Sequence, residues 1–200
     1  MKPPKHLSRS AAVVVLSGFA LFCLIASIHT RPVAAQSSDT AESLRAFSRV
    51  ASVLTSPRCL HCHVSGDSPL QGDLGTIHTM NVKRGPDGRG TVAMRCTNCH
   101  QDQNSQQLHA PPGSPDWHMP PPNMRMAWQG LSVGDLCRTL KDPATNGGKR
   151  LAQLIDHARD DKLVRWGWDP GPGRSIPPLS HDEFVVQFTR WVESGAACPQ

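Results

Sequence analysis

Cys59-Leu60-His61-Cys62-His63 and Cys96-Thr97-Asn98-Cys99-His100 each read C-x-x-C-H. That spacing is the attachment signature of c-type haem. Two thiols three positions apart on one turn can each add to one vinyl group of the same porphyrin. The His after the second Cys then places an imidazole under the iron, here His63 and His100 as proximal ligands. The expected cofactors are two haem c, held through Cys59, Cys62, Cys96 and Cys99. One Cys₄ zinc site is the plainer reading of two C-x-x-C pairs, and a redox dithiol is another. Neither requires a His after each pair. With 10 His in 200 residues, both positions would be His by chance about once in 400.

Each iron then needs a sixth ligand or keeps an open site. His78 and Met80 lie between the motifs, where the chain must wrap a porphyrin. Trp117-His118-Met119 puts an aromatic beside two donors, and Met124 and Met126 precede Trp128. His157 flanks the apolar stripe of a helix. The distal candidates are His78, His118, Met80, Met126 and His157. His61 is expected to face away inside its own attachment loop. His109 sits in a polar Gln-rich run, and His181 at an exposed helix start. Met94 is too close to Cys96 to cross to the far face of that haem. The identity matters: a Met ligand raises the reduction potential relative to a second His, and an open site permits ligand binding or peroxide chemistry.

The elements that must position these groups are sparse. Hydrophobic residues make up 38% of the chain and aromatics 5%, with no Tyr, 18 Pro and 16 Gly. This is thin for a self-sufficient core and excludes a multi-domain enzyme or a nucleotide-binding α/β domain. Gly147-Gly148-Lys149-Arg150 lacks the spacing of a phosphate loop. Leu44, Phe47, Ala51 and Leu54 form one helical stripe over 41–54, which Ser38 or Asp39 could cap and Ser56-Pro57 stops. Ser132-x-x-Asp135 opens a second helix, running to about Lys141. A third covers about 149–164. Ser180-x-x-Glu183 opens the last, with Phe184, Phe188, Trp191 and Val192 inward and Gly195 as its stop. Residues 64–95 and 101–126 show no period and read as loops. The fold class is therefore mainly α: about four helices with long haem-wrapping loops and few or no strands, the macrocycles supplying apolar interior. The five Trp are expected to pack against haem or each other.

The N-terminus reads separately. Lys2, Lys5 and Arg9 precede an uncharged run over 11–28, and Val33 and Ala35 read as a cleavage signal before Gln36. Residues 1–35 are expected to be a signal peptide, or an uncleaved N-terminal anchor, and 36–200 the functional domain. Either way the domain is exported, and a membrane is involved only if the leader stays on. Removing Lys2, Lys5, Arg9 and Arg31 from the 21 basic residues leaves 17 against 16 acidic ones. No basic block remains, so nucleic-acid binding is excluded. Cys23 leaves with the leader. Cys137 and Cys198 are then the even remainder and the expected disulfide in an oxidising compartment.

The chain resembles small exported di-haem c-type cytochromes, and more narrowly the bacterial proteins labelled isoquinoline 1-oxidoreductase subunit. The resemblance is carried by 57–63 (PRCLHCH), 80–90 (MNVKRGPDGRG), 94–101 (MRCTNCHQ), 127–132 (AWQGLS), 136–148 (LCRTLKDPATNGG) and 163–171 (LVRWGWDPG). Both Met124 and Met126 precede AWQG, so no single Met there is assigned. The resemblance implies a periplasmic electron carrier exchanging electrons with a redox partner, a molybdenum hydroxylase or a respiratory-chain component. The alternative is a haem enzyme or sensor with one open iron site, as in a di-haem peroxidase.

Overall fold

Helix α1 (Val33–Leu54) puts Phe47, Val50, Ala51 and Leu54 on one buried face, and that face packs mainly on α6 (His181–Glu193). The computed structural model describes residues 33–200, with side chains from Ser37 onward. The leader's apolar run at 11–28 lies outside the described residues. No described helix is long and apolar enough to cross a membrane. The chain is mainly α, as the composition and periodicity predicted.

Among the described residues six helices form where the sequence suggested four. Helix α1 starts at Val33, so Ser38 and Asp39 lie inside it rather than capping it. Residues 57–60 add a single turn, α2 (Pro57–Leu60), started by a proline whose missing N–H costs nothing at a first helical position. Helix α3 (Val133–Lys141) is capped as expected, Ser132 Oγ accepting from the Asp135 N–H at 3.1 Å. The helix expected over 149–164 is two, α4 (Leu151–Asp160) and α5 (Lys162–Trp166). The break is Asp161, whose backbone is extended and whose carboxylate accepts from the Leu163 and Val164 N–H groups at 2.9 and 3.0 Å. A local cap there outcompetes continuation of the helix. Helix α6 opens on the predicted reciprocal box. Glu183 N–H donates to Ser180 Oγ at 3.2 Å, and Ser180 N–H to Glu183 Oε2 at 3.0 Å.

Two antiparallel ladders of two residues each interrupt the long loop: β1 (Leu70–Gln71) with β2 (Thr76–Ile77), and β3 (Gly90–Thr91) with β4 (Met94–Arg95). Gly90 is obligatory in the second. Its φ is +88°, and a Cβ there would lie 2.3 Å from the Met94 carbonyl oxygen. Short 3₁₀ turns at Thr79–Asn81, Cys96–Asn98 and Pro122–Met124 complete the loops.

The core gathers α1, α3, α4 and α6 around Trp191, which has no exposed surface and touches the Phe47 and Phe188 rings at 4.8 and 5.4 Å. Cys137 and Cys198 are joined as a disulfide, with Cα atoms 5.5 Å apart. The tail after α6 is knitted in by Ser43, fully buried. Its Oγ donates to the Trp191 carbonyl at 3.1 Å and accepts from the Ala197 N–H at 2.8 Å. Ser43→Ala strands both groups and is expected to cost about 1–3 kcal/mol, read as a lower denaturation midpoint at unchanged m-value. No change in midpoint would show that the tail does not depend on that hydroxyl.

Candidate functional site

The first C-x-x-C-H motif begins on α2, and Cys59 packs on the apolar core. Cys59, Cys62 and His63 lie on the wall of a cavity of about 740 Å³. The same wall carries Leu140, Leu154, Phe184 and Phe188. The volume falls within the roughly 300–1,000 Å³ usual for cofactor sites.

His63 is oriented from both sides. Its Nδ1 donates to the Met126 carbonyl at 2.8 Å, and its ring stacks on Trp128 with centroids 3.5 Å apart and planes 3° apart. The bond at Nδ1 leaves the Nε2 lone pair as the free donor, the arrangement second-shell carbonyls give to metal-binding imidazoles. Burial pushes His63 down to about 4, against the pull of the Met126 carbonyl, so the ring is neutral at physiological pH. Met126 holds this position with φ +45°, a backbone conformation unusual outside glycine.

His100 repeats the construction 37 positions on. Its Nδ1 donates to the Pro112 carbonyl at 2.7 Å, and its ring stacks on Trp117, centroids 4.3 Å apart and planes 6° apart. Burial again lowers its pKa. Trp117 meets Trp166 edge-on at 4.7 Å, and Trp166 lines the first cavity. An aromatic chain therefore runs from the second motif to the wall of the first cavity. The second is the more open: Cys96 is half-buried and Cys99 exposed.

No known family, curated protein or solved structure matches this chain.

The cysteines of the first motif are held as protonated thiols at neutral pH. Burial pushes the Cys59 thiol up to about 11 and Cys62 up to about 12, and raises Cys96. All four motif cysteines are free thiols, so neither C-x-x-C pair is an oxidised dithiol. Among the described residues no three His, Cys, Asp or Glu groups converge as metal ligands.

The distal candidates divide between the two motifs. His118 and His157 line the first cavity with Met124 and Met126. His118 Nδ1 donates to the Asp116 carbonyl at 2.5 Å, and His157 Nδ1 faces the Asp161 carboxylate at 3.4 Å. The Met126 carbonyl sits at the Nδ1 side of His63. His78 lies beside His100, ring centroids 6.2 Å apart. Met80 is 68% exposed.

His61, expected to face away inside its attachment loop, is not among the residues lining the first cavity; it is 7% exposed, its Nε2 has no partner, and burial pushes it down to about 4. One expectation about a histidine needs correction. His181 is half-buried rather than exposed, its Nε2 donating to the Ala158 carbonyl at 2.9 Å and its ring edge-on to Trp168. At His61 and His181 alike, tertiary packing covers a position that looks peripheral along the chain. His109 is exposed, as expected.

Sequence reasoning also missed two buried arginines. Arg84 is 1% exposed and clamps two loops, donating to the Val64, Gly66 and Pro120 carbonyls. Arg58, at the cavity wall, pairs with Asp73 at 2.5 Å. The Nε of each is buried without a hydrogen-bond partner. Orphaned buried donors are rare and call for an acceptor. A porphyrin brings two carboxylates, so Arg58 Nε at the wall fits such a group. Only position within the PRCLHCH and MNVKRGPDGRG segments singles these arginines out in the sequence.

Asp161 supports this wall as well as capping α5. The hydrogen bond from His157 and those from the Val164 and Leu163 N–H groups hold its carboxyl at about 2. Its folded pKa lies below the ordinary value of about 3.9, so its contribution is complete above that value and is lost as pH falls toward 2. Asp161→Ala is expected to cost about 1 kcal/mol at neutral pH, and the gap to the parent should close near pH 2. Urea melts at the two pH values check this; a gap independent of pH would contradict it.

Proposed function

We propose that this chain is an exported electron carrier holding two covalently attached haem c groups, with Cys59, Cys62, Cys96 and Cys99 as thioether anchors. The observation that carries the reading is the twin setting of His63 and His100. Each ring has Nδ1 committed to a backbone carbonyl, a Trp stacked in parallel on its face, and Nε2 left free. Two independent loops build the same imidazole mount behind the same motif. When bound, each haem supplies a one-electron ferric–ferrous couple.

The chain's own residues do the rest. Trp128 and Trp117 fix the planes of the proximal rings. The Met126 and Pro112 carbonyls fix the tautomer and make each Nε2 a stronger donor. Leu54, Leu140, Leu154, Phe184 and Phe188 exclude water from the first site, which limits solvent reorganisation on a change of charge. Trp117 and Trp166 lead from the second proximal ring to the wall of the first site. The disulfide suits an oxidising compartment, and the periplasm is the location proposed. The partner is a redox protein, either a molybdenum hydroxylase or a respiratory-chain component.

The test is a pyridine haemochrome assay and intact mass on the protein exported from a host that matures c-type cytochromes. Two covalent haems per chain are expected, and one in the Cys96→Ala/Cys99→Ala variant. A colourless, folded, iron-free product would overturn the proposal. Peroxide turnover by a haem that also binds carbon monoxide would move the protein to the di-haem peroxidase class.

A further inference from the structure

The strongest observation outside the two proximal mounts is the pairing of His78 with His100. We infer that His78 is the sixth ligand of the iron carried by the second motif, making that centre bis-histidine. The inference rests on the haem reading above and goes beyond it by closing one iron to other ligands.

Distance comes first. A first-row metal–imidazole bond is about 2.0–2.1 Å and the ring centroid lies about 1.1 Å beyond the nitrogen, so two axial imidazoles on one iron have centroids about 6.3 Å apart. The His78 and His100 centroids are 6.2 Å apart. Their planes meet at 59°. That angle is unrestricted for an axial pair, because each ring plane contains its own metal–nitrogen bond and can rotate about it.

Tautomer comes second. His78 Nδ1 donates to the Thr79 carbonyl at 2.9 Å, leaving Nε2 as its free donor, as in both proximal rings. A solvated surface histidine has no need of a fixed tautomer. This one is also pinned through the backbone. The His78 N–H donates to the Pro69 carbonyl at 2.9 Å, and the Thr79 N–H to Gln71 Oε1 at 3.1 Å.

The backbone after His78 is the third observation. Met80 and Asn81 follow with φ +61° and +53°, two consecutive left-handed residues that are not glycine. Such conformations are disfavoured for residues with a side chain and persist where the surroundings dictate them. They turn the chain sharply back after the imidazole. Met80 itself is exposed, and so are Ile77 at 70% and Val92 at 90%. These apolar side chains lie on the loops that lead to His78 and Cys96. A flat apolar ring between the two imidazoles would give them a surface to cover.

The experiment compares the matured parent with His78→Gly and His78→Met. Haem content is measured first by pyridine haemochrome, and two haems are expected in all three. In the reduced state, carbon monoxide binding should rise by one haem equivalent in His78→Gly, and added imidazole should abolish that rise. His78→Met should stay low-spin and show one of its two potentials shifted upward, since Met ligation raises the potential. Unchanged carbon monoxide binding and unchanged potentials, with two haems present, would overturn the ligand assignment and leave the carrier reading standing. A parent without covalent haem would overturn both.

Discussion

With Cys59 and Cys62 both changed to Ala, the exported protein is expected to carry one haem and to melt roughly 15 °C or more below the parent. The reason lies in what walls the first site. Leu54, Leu140, Leu154, Phe184 and Phe188 are core residues and cavity-lining residues at once. Left empty, about 740 Å³ of cavity would cost up to about 18 kcal/mol at about 24 cal/mol per Å³. That is an upper bound, because part of the volume opens to solvent. A fraction of it is already large against the 5–15 kcal/mol that holds an ordinary domain together. The walls are therefore expected to relax inward and the helices to pack less tightly. The Cys96→Ala/Cys99→Ala variant should lose its haem with a smaller drop, since neither cysteine packs on the apolar cluster. Thermal melts followed by far-ultraviolet circular dichroism make the comparison. A 59/62 variant that has lost its haem and still melts with the parent would show that the polypeptide core suffices by itself.

Changing both Cys137 and Cys198 to Ser is the second large effect, a loss of about 4 kcal/mol from loop-closure entropy alone. The bridge closes a separation of 61 residues, long enough for the unfolded chain to gain much freedom on its removal. For a domain of this size that corresponds to roughly 8–16 °C in melting temperature. The bridge ties α3 to the tail, which is otherwise held by Ser43 and a few hydrogen bonds. Trp191 Nε1 donates to the Ala197 carbonyl at 3.0 Å, and Lys141 Nζ to the Ala196 carbonyl at 2.7 Å. Haem content should stay at two, because neither cysteine belongs to a C-x-x-C-H motif. Reducing the parent should reproduce the variant's melt. A variant that melts with the parent would mean that these contacts hold the tail without the covalent link.

Much of this protein could be read directly from the chain, wherever neighbours in sequence carry the physics. The proposed thioether anchors and proximal histidines follow from a five-residue spacing. The Ser132 and Ser180 caps follow from residues three apart. Pro57 stops α1 and starts α2. The disulfide follows from counting, once four cysteines are committed to motifs. Where local signals competed, the reading was less sure. Asp161 broke a periodic stretch because its carboxylate could cap the helix beyond it.

Only the tertiary structure decided what surrounds each imidazole. The Met126 carbonyl that orients His63 is 63 residues away, and the Ser43 hydroxyl that fixes the tail is 154 residues from Ala197. Nothing local distinguishes Trp128 or Trp117 from any other packing Trp, yet each lies flat on a proximal ring. Arg58, Arg84 and His61 are polar residues in loop-rich sequence, and folding buries all three. His78 and Met80 look alike as donors in one loop; the backbone turns the first toward His100 and leaves the second exposed. Sequence determined which groups exist and which local turns they make. Burial and long-range hydrogen bonds, which depend on residues meeting from far along the chain, decided which of those groups face one another.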